Sequence, residues 1–269
     1  MNLPRWFFGE LVGTFLLVFF GCGSVATSVT TGAQVGVFQV AIVWGLGIST
    51  AIYLTGSLSG AHLNPAVTIA MSVFRDFPKT RVFPYIFTQM LGAFLACAVL
   101  YPIFASPLES FESKNKITRG EAGSEASAKI FGEYFPSPGP QGLDEQARAF
   151  MPHGAAFVAE VIGTSILLIV IFCVTDSKNE SRPQILTALT IGLTVTLLIS
   201  LLGPLTMACF NPARDLAPRL FSSLAGWSAV PFKANGIGWL TVYIVAPILG
   251  GLIGGFIYTK LLKPAYDMK

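Results

Sequence analysis

The sequence predicts an all-α integral membrane fold. Six transmembrane helices and two re-entrant half-helices form an inverted repeat within one membrane domain, 1–269. Three observations predict this. Only 12% of the 269 residues are charged and 53% are hydrophobic, whereas a soluble domain carries about 25% charged residues. Six apolar segments reach the roughly 20 residues that a helix needs to cross about 30 Å of hydrocarbon. Two shorter apolar segments both open with Asn-Pro-Ala, at Asn64-Pro65-Ala66 and Asn211-Pro212-Ala213. The same composition disfavours a soluble enzyme, a nucleic-acid binder and a disordered chain. A net charge of +3 is too small to suggest a polyanion partner.

The first span covers 6–29. One cation, Arg5, precedes it, and it is too long for the h-region of a cleaved signal peptide, which is roughly 7–15 residues. The other spans are 35–55, 82–104, 153–175, 184–202 and 238–258. Glycines recur inside them, as at Gly250, Gly251, Gly254 and Gly255, and small residues let helix backbones approach closely in lipid. No two-residue alternation is sustained, which argues against barrel strands. The segment 64–74, with 11 residues, makes a helix of about 16 Å at roughly 1.5 Å per residue, half a bilayer deep. Its later counterpart is 211–224. A polar loop, 105–152, joins the halves, with short helical structure expected within 121–134. Cys22, Cys97, Cys173 and Cys209 lie in or beside apolar stretches without metal or redox spacing, and read as small hydrophobes.

The halves repeat, over about 6–104 and 153–260. Glu10-Leu-Val-Gly13-Thr14 matches Glu160-Val-Ile-Gly163-Thr164 at an offset of 150, and the Asn-Pro-Ala motifs recur at an offset of 147. Similar offsets for independent matches indicate duplication. Three spans per half force the second half to enter from the opposite face, an arrangement that puts a substrate path between the halves. Lys and Arg of the short loops set the orientation. Arg5, Arg75, Lys79, Arg81, Lys178, Arg182, Lys260, Lys263 and Lys269 fall on one side, which predicts that both termini are cytoplasmic. The sequon Asn179-Glu-Ser181 then lies inside, unmodified.

Asn is a preferred helix N-cap, its side-chain oxygen accepting from a first-turn N–H. Pro follows well at the first helical position, where its missing N–H costs nothing. The Asn amide NH2 is then left as a donor pointing away from the helix. Half-helices entering from opposite faces bring Asn64 and Asn211 together at the midplane, with their positive dipole ends meeting there. Such a site donates to a passing neutral oxygen and repels cations.

Ser59-Gly-Ala-His-Leu-Asn64-Pro-Ala-Val-Thr68 and Gly203-Pro-Leu-Thr206…Asn211-Pro-Ala-Arg-Asp215 resemble the major intrinsic proteins. More narrowly they resemble the aquaglyceroporin, or glycerol facilitator, branch. The likeness runs from about residue 5 to residue 262. Opposed half-helix dipoles are the cation-excluding device described for aquaporin-type pores. In the family, Asp after the Arg and a cation four residues on mark polyol channels; here these are Asp215 and Arg219. The long third loop and Ala225-Gly-Trp227 are similar to the same branch. Tyr243-Ile244 departs, standing where that branch usually carries Pro and a non-aromatic residue. The resemblance implies a selectivity filter of Trp44, Ile199, Ala208 and Arg214. Arg214 offers a rigid fork of donors, and Trp44 an apolar wall for the carbon side of a polyol. Ile199 and Ala208 replace the glycine and the aromatic that glycerol channels usually have, a combination resembling the first subgroup of plant nodulin-26-like channels.

What the resemblance implies is a passive channel for small uncharged solutes that excludes ions and protons. Glycerol and water come first; urea and metalloid hydroxides are further candidates. No enzymatic chemistry, cofactor, metal or nucleic-acid partner is implied. A homotetramer in the plasma membrane, with one pore per chain, is expected. If Ile199 closes the ring, the pore is water-selective instead. Glu10 and Glu160 are intramembrane carboxylates, a functional hypothesis by default. As proton carriers they would make a coupled transporter. As buried acceptors they would brace the loops' free N–H groups, which cannot go unpaired in lipid; their symmetric placement favours this. His62 and Asp215 are likewise expected to brace the loops.

Overall fold

Backbone N–H and C=O groups cannot stay unpaired in hydrocarbon. In a computed structural model, residues 3–268 meet this constraint mainly with helices. Among them the one β-type contact is an isolated bridge between Gly139 and Gly142. Lys269, one of the cations assigned to the inner side, lies outside the described residues.

The first half holds α1 (Arg5–Thr31), α2 (Val37–Ser59), the half-helix α3 (Pro65–Phe74) and α4 (Val82–Lys114). The second holds α5 (His153–Thr175), α6 (Thr187–Thr206), the half-helix α7 (Pro212–Ser222) and α8 (Gly238–Tyr266). All six long helices are apolar enough and long enough to span a bilayer. Several boundaries differ from the sequence reading. The helix α2 runs to Ser59, past 55. The helix α4 continues to Lys114, well past 104. Its extra turns bury Leu108 and Glu112, and Glu112 pairs with Arg119 at 2.7 Å, so the helix leaves the membrane to found the long loop. The helix α6 begins and ends later than expected, a tight turn at Gln184–Leu186 preceding it. The helix α8 overruns 258 through a π turn at Tyr258–Leu262.

Packing follows the repeat. Within each half the first span lies against the second and third, and each half-helix packs against the last span of the opposite half: α3 on α8, α7 on α4. The helix pair α2 and α6 joins the halves. Equivalent glycines make the tight crossings. Gly92 on α4 faces the Leu11 carbonyl of α1, and Gly250 on α8 faces the Val161 carbonyl of α5. Between the halves, a Cβ on Gly192 would overlap the Gly45 carbonyl and the Ser49 hydroxyl. Gly56, in contrast, faces open space.

Gly192→Leu is therefore expected to abolish a monodisperse peak in fluorescence-detected size-exclusion chromatography. Gly56→Ala should leave that peak intact and raise thermal stability slightly, since Ala is favoured over Gly within a helix by roughly 0.5–1 kcal/mol.

Candidate functional site

The two Asn-Pro-Ala motifs each start a half-helix. Asn64 caps α3, its Oδ1 accepting from Ala66 N at 2.8 Å. Asn211 caps α7, accepting from Ala213 N at 3.0 Å and Arg214 N at 3.3 Å. The side-chain amides then cross: Asn64 Nδ2 donates to the Phe210 carbonyl at 2.8 Å, and Asn211 Nδ2 to the Leu63 carbonyl at 2.9 Å. Each amide thus commits one of its two N–H donors to the opposite loop and leaves one for the lumen. The sequence reading had left both donors free.

The loops before the caps have non-helical backbone at membrane depth. Ala61, Leu63, Met207, Ala208 and Phe210 take left-handed conformations, with φ between 48° and 58°. A carboxylate lies behind each loop. Glu10 accepts from His62 N at 3.0 Å, Leu63 N at 2.8 Å, Ser59 Oγ at 2.7 Å and Gln89 Nε2 at 2.7 Å. Glu160 accepts from Cys209 N at 2.9 Å, Phe210 N at 2.8 Å and Thr206 Oγ1 at 2.6 Å. One turn after each acid, Gly13 faces the Leu63 side chain and Gly163 the Phe210 ring, where a Cβ would collide. The Glu-x-x-Gly pattern thus meets one loop residue twice: Glu takes its N–H, and Gly makes room for its side chain. His62 turns its Nδ1 to Thr68 Oγ1 at 3.2 Å and packs edge-on against Phe77.

Two cavities flank Trp44 and Arg214, the two residues that line both. With the side covered by the long loop called outer, the inner one, about 140 Å³, reaches from these side chains past Asn64 and Asn211 to Thr175 and Thr187. Loop residues 60–64 and 209–211 form one wall, and Ile48, Val67, Leu167 and Ile191 belong to the apolar remainder. Cys209 lines this inner cavity, with its thiol on the Asn211 carbonyl at 3.2 Å. The outer cavity, about 350 Å³, includes Ile199 and Met207. Ala208 is 1% exposed and is not among the residues lining either cavity. Between the cavities, the Arg214 guanidinium lies 4.0 Å from the centre of the Trp44 ring and donates to the Met207 carbonyl at 3.2 Å.

Asp215 turns away from the lumen. It is fully buried and ion-pairs with Arg219 at 2.7 Å, one turn on. Its Oδ1 also accepts from Glu133 N at 2.7 Å. Arg219 donates to the Glu133 and Pro231 carbonyls and lies between the rings of Tyr134 and Tyr243. Through this buried pair the long loop is fastened to α7, and the Glu133 carboxylate ion-pairs with Arg214. Glu133 and, four residues before it, Lys129 line the outer cavity; sequence reasoning missed both. An acid and a base at i and i+4, in a loop facing a buried Asp-Arg pair, are the signal that could have found them.

The major intrinsic protein model matches residues 1–258. The chain belongs to the major intrinsic protein family. As a member of that family with six apolar spans, it is a multi-pass integral membrane channel protein. Among related major intrinsic proteins, the glycerol uptake facilitator protein of Haemophilus influenzae is 40% identical over 94% of this chain and 92% of its own length. The propanediol uptake facilitator PduF of Salmonella typhimurium is 41% identical over 93% of this chain and 90% of its own. Among solved structures, the aquaglyceroporin from Plasmodium falciparum superposes with a TM-score of 0.81 at 30% identity, covering 98% of this chain and 99% of that one.

In this member of the family, removing Arg219 alone would strand the buried Asp215 charge, a loss of about 3–5 kcal/mol for a buried pair. Arg219→Met is expected to lower the thermal unfolding midpoint in detergent markedly. The double variant Asp215→Asn/Arg219→Met should recover part of that loss.

Proposed function

We propose that this chain is a passive, ion-excluding channel for glycerol and water. The observation that carries the reading is the junction of the two cavities at Trp44 and Arg214. There an apolar ring faces a fork of donors, which suits a molecule with carbon on one edge and hydroxyls on the other. The facilitator names of the relatives support glycerol and similar small polyols as the solutes. Urea and metalloid hydroxides, also small and neutral, belong to the same proposed range. The paired Asn64 and Asn211, each at the positive end of a half-helix, are proposed to admit neutral oxygens and to repel cations and protons. Trp44, Ile199, Ala208 and Arg214 are the proposed selectivity filter, with Ala208 acting through its backbone. Glu10, Glu160, His62 and Asp215 are the proposed loop braces. The cation-rich loops support cytoplasmic termini in a plasma membrane, and membership of the family supports a homotetramer with a pore in each chain.

A water-selective pore is the second reading, favoured by the stacking of Arg214 on Trp44 and the bulk of Ile199. Coupling to protons is a weaker reading. Glu10 and Glu160 are fully buried, neither lines either of the two cavities at Trp44 and Arg214, and both oxygens of each accept hydrogen bonds.

Stopped-flow light scattering on proteoliposomes given an inward glycerol gradient tests the proposal. Shrinkage followed by rapid reswelling is expected, equally fast with and without a pH gradient. Shrinkage without accelerated reswelling would replace it with the water-selective reading, and a rate set by the pH gradient would overturn passivity. Ile199→Gly is expected to speed the glycerol phase several-fold while changing the water phase less.

A further inference from the structure

Among the described residues lining the outer cavity, three are charged: Lys129, Glu133 and Arg214. The helices around them, α1, α2 and α6, contribute no titratable group to this wall; their polar contribution is Ser28, and the loop adds Ser137. Behind the loop, Asp215 and Arg219 neutralise each other. Glu133 is only 4% exposed. One of its oxygens pairs with Arg214; the other, Oε2, is buried without a hydrogen-bond partner. A carboxylate lining a largely apolar funnel attracts cations, because charges there are weakly screened. Arg214 alone brings the charge of the funnel to zero. Lys129 makes it positive, with its Nζ anchored to the Pro138 carbonyl at 2.5 Å.

We propose that Lys129 is a specificity-determining residue of the outer entrance, whose ammonium denies the Glu133 carboxylate to small organic cations. The inference rests on the channel reading above. Without Lys129, a cation of permeant size would lodge in the outer cavity beside the Glu133 carboxylate and obstruct the approach to Trp44 and Arg214. The filter arginine would still repel it from going further, so the consequence is block rather than conduction. Burial pulls the Lys129 pKa down to about 8. The ammonium is therefore charged at pH 7 and largely neutral at pH 9.5, where a guanidinium ion keeps its charge. Arginine at the same position would stay charged at both.

The experiment measures glycerol entry into proteoliposomes with external guanidinium chloride in the tens of millimolar, against sodium chloride at equal ionic strength. Each variant is scored by the ratio of its own two rates. The wild type at pH 7 should give a ratio near one, and Lys129→Gln a several-fold slowing by guanidinium. The wild type at pH 9.5 should behave like Lys129→Gln, while Lys129→Arg should resist guanidinium at both pH values. Calorimetric titration of the detergent-solubilised full chain with guanidinium gives a readout independent of flux. Binding is expected in Lys129→Gln and lost in Lys129→Gln/Glu133→Gln. Equal insensitivity of Lys129→Gln and wild type at pH 7, or equal guanidinium affinity, overturns the proposal. Absence of glycerol flux in every sample would overturn the channel reading instead, with the calorimetry still deciding the role of Lys129.

Discussion

A chain that breaks its helices inside a membrane must find a partner for every N–H and C=O it frees, and the rest of this structure depends on how that is done. Two loops abandon helical geometry at depth, before Asn64 and Asn211. Five of their non-glycine residues sit at positive φ, a backbone strain on the order of 1–3 kcal/mol each. Glu10 and Glu160 stabilise these shapes by accepting the paired N–H groups of residues 62 and 63 and of 209 and 210. The crossed Asn amides then fasten each loop to the other. A carboxylate serves better than an amide here because both of its oxygens are acceptors. A glutamine would turn donors toward donors.

Symmetry governs the midplane and the helix crossings around it. The offset of 147 that relates the two motifs also relates Leu63 to Phe210 and His62 to Cys209, so the hydrogen bonds of one half reappear in the other. Away from the midplane the halves diverge. Tyr85 and Tyr243 still match, donating to the Ser59 and Thr206 carbonyls at 3.0 and 3.1 Å, but Gln89, which ties Glu10 to Thr68, has Pro247 as its counterpart. The long loop covers the outer face alone, and its charges reach Arg214. A duplicated frame builds a passage that is the same from both ends, so discrimination at one mouth has to come from what was not duplicated.

The spans were legible because a segment crossing hydrocarbon cannot hide its composition. The half-helices were legible because Asn followed by Pro is chemistry for one position, the start of a helix. Contacts across long separations were not. Glu133 meets Asp215 across 82 residues, and nothing near either position announces the other. The overrun of α4 was hidden for a related reason: its last turns are held by Leu108 and by Glu112 with Arg119, not by lipid. Composition therefore locates the membrane and motifs locate the caps. The charges at the outer mouth follow from tertiary contacts of a polar loop, where neither period nor composition constrains the answer.

Tyr243 shows how a departure from a family pattern is absorbed. A proline at this point would remove a backbone donor and break the helix. With tyrosine the helix continues, loosened into a π turn at Thr241–Val245. The fully buried ring packs 6.0 Å from Phe135 of the long loop and presents its face to Arg219 at 5.5 Å. Its hydroxyl supplies a donor to the Thr206 carbonyl at the end of α6. One side chain therefore joins α8 to the loop, to the Asp215–Arg219 pair and to the backbone leading into Ala208. Tyr243 thus supports the clamp that sets Glu133 against Arg214, with two interactions that a proline could not make.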